Sequence, residues 1–166
     1  MSSFKVAILM GSDSDLEIMK EAKSVLDEFQ VESDVKVLSA HRSPELLAKY
    51  VKEAPQNKIS VFICGAGGAA HLAGSVGALT TLPVIGVPID ATSLRGLDAL
   101  LATVQMPAGI PVATVAVGKS GARNAGILAT QILALADPEL QKKLDTFKTR
   151  LAESVVKKNE KLKEKL

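Results

Sequence analysis

The chain has 166 residues, 47% of them hydrophobic, and a formal net charge of +2. That is enough apolar material for one domain with a sizeable core, and too little charge to argue for a nucleic-acid partner. Aromatic residues make up 3%, with one tyrosine and no tryptophan, so a stacking platform for single-stranded nucleic acid is absent. Cys64 is the sole cysteine, which excludes an internal disulfide and a paired-cysteine metal knuckle.

The opening MSSFKVAILMGSDSD lacks the basic, apolar and small-residue order of a secretory signal. Glycines, prolines and polar residues interrupt every apolar run before the ~18 residues of a membrane span. The expectation is a cytoplasmic protein with no membrane partner. Charge is unevenly spread. Residues 137–166 hold nine of the 20 Lys/Arg and six of the 18 Asp/Glu, whereas between Ile59 and Gly118 the only formal charges are Asp90, Arg95 and Asp98. A small domain in water scatters more charge than this over its surface, so part of that stretch is expected to be covered by other subunits.

In chain order, Phe4 to Met10 reads as a strand buried on both faces. Asp15 to Gln30 repeats Leu16, Met19, Ala22, Leu26 and Phe29 at helical spacing. Val35 to Leu38 reads as a second strand. Ser43-Pro44 offers a capping hydroxyl and a proline at the first helical position, opening a helix to about Ala54. Ile59 to Cys64 is a third strand, followed by a glycine-rich turn and a small-residue helix over about Ala69 to Leu79. Val84 to Val87 and Val112 to Val117 are further strands, separated by a helix around Leu94 to Val104. Ala122 to Ala136 is an alanine-rich helix. The final segment, Asp137 to Leu166, carries Leu140, Leu144, Phe147, Leu151, Val155, Leu162 and Leu166 as one apolar stripe, with lysines around it. It reads as a helical extension of the body over residues 1–136, and its stripe is expected to pack across a neighbouring subunit.

Strands alternating with helices define an α/β class with a parallel, doubly wound sheet. Ligands in such sheets bind at the carboxyl ends of the strands, which directs attention to three turns. The first, Gly11-Ser12-Asp13-Ser14-Asp15, combines hydroxyls with free N–H groups at a helix start. Taken alone it reads first as simple helix capping, with a phosphate cradle as the other reading. The second, Ser39-Ala40-His41-Arg42-Ser43-Pro44, sets a proton-exchanging imidazole beside a guanidinium fork for phosphate or carboxylate; a solvent-facing loop pair without a role is the other reading. The third, Gly65-Ala66-Gly67-Gly68-Ala69-Ala70-His71-Leu72-Ala73-Gly74, allows backbone to approach a ligand closely, or serves only tight helix–sheet packing around a buried histidine. Walker, dinucleotide and nucleophile-elbow motifs are missing, and Cys64 lies in an apolar strand as core. The two histidines of the chain fall in these turns. Elimination leaves acid/base chemistry around one histidine on a phosphate-bearing ligand, with no metal.

At this point MGSDSD (Met10 to Asp15), SAHRSP (Ser39 to Pro44) and GAGGAAHLAG (Gly65 to Gly74) resemble the signature loops of the class I N5-carboxyaminoimidazole ribonucleotide mutases. PVIGVP (Pro83 to Pro88), GLDALLATVQMPAGIPVATVAVG (Gly96 to Gly118) and NAGILA (Asn124 to Ala129) extend the likeness, which runs in order from about Lys5 to Ala136. The resemblance implies a three-layer α-β-α sandwich of flavodoxin or Rossmann type, assembled as a homo-octamer. It implies an isomerase of purine (IMP) biosynthesis that turns N5-carboxyaminoimidazole ribonucleotide into the isomer carboxylated on ring carbon, through trapped CO2 and with no cofactor: no ATP, metal or biotin. It further implies His41 as the acid/base and Ser12, Asp15 and Arg42 as ribonucleotide ligands, with Ser14, Ser39, Ala40, Gly67, His71 and Leu72 lining the same pocket. Ala73 stands where the family usually has proline, a change that removes no chemical group. The nearest alternative is a class II direct aminoimidazole ribonucleotide carboxylase. More remote are a non-catalytic flavodoxin-like binding domain and a structural oligomer whose turns are only caps.

Overall fold

The computed structural model describes residues 4–163. Five strands, β1 (Lys5–Met10), β2 (Glu32–Val37), β3 (Ile59–Gly67), β4 (Val84–Ile89) and β5 (Ala113–Thr114), alternate with helices α1 (Leu16–Glu28), α2 (Pro44–Glu53), α3 (His71–Leu79), α4 (Leu97–Val104) and α5 (Lys119–Ala134). A final helix, α6 (Pro138–Lys163), follows. The strands form one parallel sheet in the order β2-β1-β3-β4-β5. This is the flavodoxin-like arrangement, in which the chain reverses its direction of growth between β1 and β3.

The alternation of strand side chains builds two apolar layers. Val6, Ile8 and Met10 of β1, with Val61 and Ile63 of β3 and Ile85 and Val87 of β4, pack against α1 and α5. Ala7, Leu9, Phe62 and Cys64 face the other way, onto Leu47 and Val51 of α2 and Leu72, Ala73 and Val76 of α3. Helices on both faces of a parallel sheet realise the expected three-layer sandwich. Cys64 is 1% exposed within this core, as its apolar setting implied, and burial pushes its thiol pKa well up.

Differences from the sequence reading have local causes. β2 begins three residues earlier than its apolar stretch, because as an edge strand it tolerates Glu32, Ser33 and Asp34. β5 shrinks to two residues; Val115 and Gly118 still donate to Gly86 and Pro88 of β4, but in an irregular ladder. Gly65 to Gly67 belong to β3 rather than to the turn after it. α5 starts at Lys119, three residues before its alanine-rich run. The stripe on α6 also needs correction. Leu140 and Leu144 are buried in the chain's own core, and Phe147 meets Phe29 edge to face with ring centroids 5.5 Å apart. Partners therefore exist within the chain for the first half of the stripe. Leu151, Val155 and Leu162 remain exposed, and Leu166 lies outside the described residues.

Candidate active site

The three turns meet at the carboxyl edge of the sheet, on either side of the β1/β3 reversal. A cavity of about 360 Å³ there is lined by Ser12, Ser14, Asp15, Ser39, Ala40, His41, Arg42, Gly67, His71 and Leu72, every position named from the loop motifs. Gly11, Ala66, Ala70 and Ala91 complete the lining. Ala91 lies beyond the three turns, after β4. The rule that ligands gather at carboxyl ends applies to β4 as well, but this turn holds no histidine, and Asp90 beside Ala91 does not line the cavity.

The first turn folds as a short 3-10 segment, Asp13–Asp15, with Ser12 at its cap accepting from the Ser14 N–H at 3.3 Å. Capping accounts for Ser12 but not for Asp15, whose side chain makes no cap bond to α1 and is 7% exposed. Burial raises the Asp15 pKa above its ordinary value, opposed by hydrogen bonds from Ser12 and Ser14 and by the charge of Arg42. A carboxyl kept partly dry in a cavity, with a guanidinium near it, is poised to accept hydrogen bonds from a polyol.

In the second turn, the Ser39 hydroxyl accepts from Arg42 N at 3.1 Å and from Arg42 Nε at 3.4 Å. Arg42 Nη2 also donates to the Gly11 carbonyl at 2.6 Å, tying the second turn to the first. Nη1 has no hydrogen-bond partner among the described residues, so one edge of the fork stays available for an anion. Ser43 occupies the cap position of α2 with Pro44 in its first turn, yet its hydroxyl makes no cap bond. It donates instead to Ser39 O and accepts from Ser39 N, each at 3.1 Å, which braces the loop carrying His41.

The third turn brings in His71 at the first position of α3. Ala70, just before it, holds the left-handed conformation at φ 47 and ψ 39. Such a backbone costs an alanine about 1 kcal/mol and aims α3 so that His71 Nδ1 reaches His41 Nε2 at 2.5 Å, with the rings edge to face. Sequence spacing had placed both histidines at one sheet edge but could not show them in contact. Gly67 must be glycine for the wall to close, since a Cβ there would lie 2.5 Å from Ala91 Cβ and 3.2 Å from Ile89 O. Ala73 is 2% exposed in the first turn of α3, where a backbone N–H has no partner within the helix, so a proline there would break no helical hydrogen bond. His41, Arg42 and His71 are exposed, and the cavity of the single chain is open on that side.

A doubly wound α/β subunit with two touching imidazoles and a guanidinium at the switch point has the architecture of a class of small-molecule enzymes. The family model for AIR carboxylase matches residues 5–154, and the chain belongs to that family. It is 56% identical over 144 residues to the N5-carboxyaminoimidazole ribonucleotide mutase of Pyrococcus abyssi, covering 87% of this chain and 82% of the relative. It is 50% identical over 157 residues to the Bacillus subtilis protein of the same name, covering 95% and 97%. Among solved structures it is similar to Treponema denticola PurE, with a TM-score of 0.87 and 29% identity over 95% of this chain and 98% of that one.

Proposed function

We propose that this chain interconverts N5-carboxyaminoimidazole ribonucleotide and its isomer carboxylated on ring carbon, as the isomerase of that step in purine biosynthesis. One observation carries the reading: the loop residues of this mutase group converge on one cavity, in a chain about half identical to proteins named for the reaction. The direct-carboxylase alternative is not favoured, because the relatives are named as mutases.

In the proposed division of roles, Arg42 and the hydroxyls of Ser12 and Ser14 hold the phosphate, and Asp15 accepts from the ribose. His41 supplies a proton as the carbon–nitrogen bond of the carbamate breaks and CO2 departs. The small walls of Ala40, Ala66, Gly67 and Ala70 keep CO2 beside the ring, where its effective concentration far exceeds that in solution. The ring carbon then bonds to CO2, and His41 recovers the proton that this carbon sheds. Proton balance over the cycle is zero, so one base suffices.

The open side of the cavity favours closure by neighbouring copies. Leu94, Leu97, Leu101 and Val104 are all about half exposed along α4 and the turn before it, within the charge-poor stretch. Patches of this kind mark association surfaces, and a homo-octamer is the proposed assembly. A cytoplasmic setting is likewise proposed; no helix among the described residues is long and apolar enough to cross a membrane. The deciding assay follows consumption of N5-carboxyaminoimidazole ribonucleotide without ATP, beside the uncarboxylated nucleotide plus CO2. Turnover of the second substrate alone would overturn the mutase reading in favour of the carboxylase.

A further inference from the structure

The contact between the two histidines bears on which atom of His41 handles the proton. His41 Nε2 faces His71 Nδ1 at 2.5 Å, and His41 Nδ1 has no hydrogen-bond partner among the described residues. Neither imidazole makes an ion pair among those residues, so each is oriented chiefly by the other. Two facing ring nitrogens can share only one hydrogen, and the direction of sharing has chemical consequences.

If His71 Nδ1 carried that hydrogen, His41 Nε2 would be the bare acceptor and His41 would hold its own hydrogen on Nδ1. Such a His41 is neutral, has no open nitrogen to take a proton, and could give one only by becoming an imidazolate. If instead His41 Nε2–H donates to a bare His71 Nδ1, then His41 Nδ1 is free to gain and lose a proton while the contact stays intact. Only the second arrangement supports a residue that must be an acid in one step and a base in the next. We infer that His71 is a positioning residue. Its bare Nδ1 accepts from His41 Nε2–H, fixes the tautomer and ring orientation of His41, and assigns the mobile proton to His41 Nδ1. This rests on the reading of His41 as the acid/base. Its proton account matches that reading: Nδ1–H passes to the departing nitrogen, the ring-carbon proton returns to Nδ1, and His71 is unchanged throughout.

The test has two arms. With two histidines in the chain, NMR of the intact protein carrying isotope-labelled histidine reads four ring nitrogens. The expected spectrum has a protonated His41 Nε2 and an unprotonated His71 Nδ1; a hydrogen on His71 Nδ1 overturns the inference. The second arm uses His71→Asn, His71→Gln and His71→Leu. An asparagine amide places a polar atom where Nδ1 stood, a glutamine amide where Nε2 stood, and leucine at neither place. His71→Gln and His71→Leu should lose kcat on the order of 10–100-fold, part of the usual acid/base contribution, with KM altered less than about threefold. His71→Asn should recover most of that loss. Parental kcat in all three, or a loss confined to KM, overturns the positioning role. If the parent protein does not turn over the N5-carboxylated nucleotide, the proposed function fails instead, while the tautomer reading still stands or falls by its own spectrum.

Discussion

His41 and Arg42 are consecutive residues given separate work by the hydrogen bonds around them. Arg42 is fastened through Ser39 and Gly11, whereas the ring of His41 has His71 as its one hydrogen-bond partner among the described residues. His41→Asn should therefore abolish nearly all turnover and leave nucleotide binding intact, as isothermal calorimetry beside an activity assay would show; activity within about tenfold of the parent contradicts an acid/base contribution of the usual size. Arg42→Ala should weaken binding of the phosphorylated nucleotide by about 1.5–3 kcal/mol. A parent protein that binds phosphorylated and dephosphorylated ligands equally has no phosphate site for Arg42 to serve. Asp15 yields a prediction about stability. Because burial raises its folded pKa, the folded state holds the proton more tightly than the unfolded chain, whose aspartate titrates near ~3.9. Stability is then lost as pH rises from the unfolded value through the folded one. Asp15→Asn cannot ionise, so its urea midpoint relative to the parent should rise between acid and neutral pH while nucleotide affinity falls. A relative midpoint that falls over the same range contradicts the burial argument.

At the scale of elements, what sequence reveals depends on which forces shape the segment. Central strands such as β1 and β3 advertise themselves, because burial on both faces demands a continuous apolar run. The edge strands do not: β2 mixes charged and apolar residues, and β5 is an irregular remnant whose apolar length suggested more. The site was legible as chemistry, since histidines, arginine and hydroxyls were concentrated in turns that a parallel sheet gathers at one edge. Two of its features were not. Ala91 gives no chemical signal, and the histidine contact depends on the backbone of Ala70, which no side-chain pattern encodes. α6 shows the same limit, because its stripe looks uniform although its halves differ in fate. A chain ending at Arg150 keeps Leu140, Leu144 and Phe147 and should unfold near the parent's urea midpoint at equal oligomer size. A chain ending at Ala136 loses all three and should be destabilised by at least ~3 kcal/mol, the scale of emptying a core site. Equal losses from both truncations would show that the second half of α6 is as important to the subunit as the first.

For the whole molecule, Leu97, Leu101 and Val104 form an exposed apolar strip along α4 that suits a cover. Leu97→Glu with Leu101→Glu should reduce oligomer size in sedimentation and leave the far-ultraviolet circular dichroism of the subunit in place. A double variant of unchanged mass would remove α4 from the assembly surface. The margins of the sheet restrict how such an assembly can be built. On one side, β2 presents Glu32, Asp34 and Lys36, with Lys5 and Lys36 paired to the two acids; on the other, β5 offers only two residues of regular strand. Neither border gives an incoming strand a long uncharged row of free backbone groups. Any assembly of this chain is therefore left to its helical faces, since the borders of its sheet lack the open seam along which sheets zip into endless fibrils.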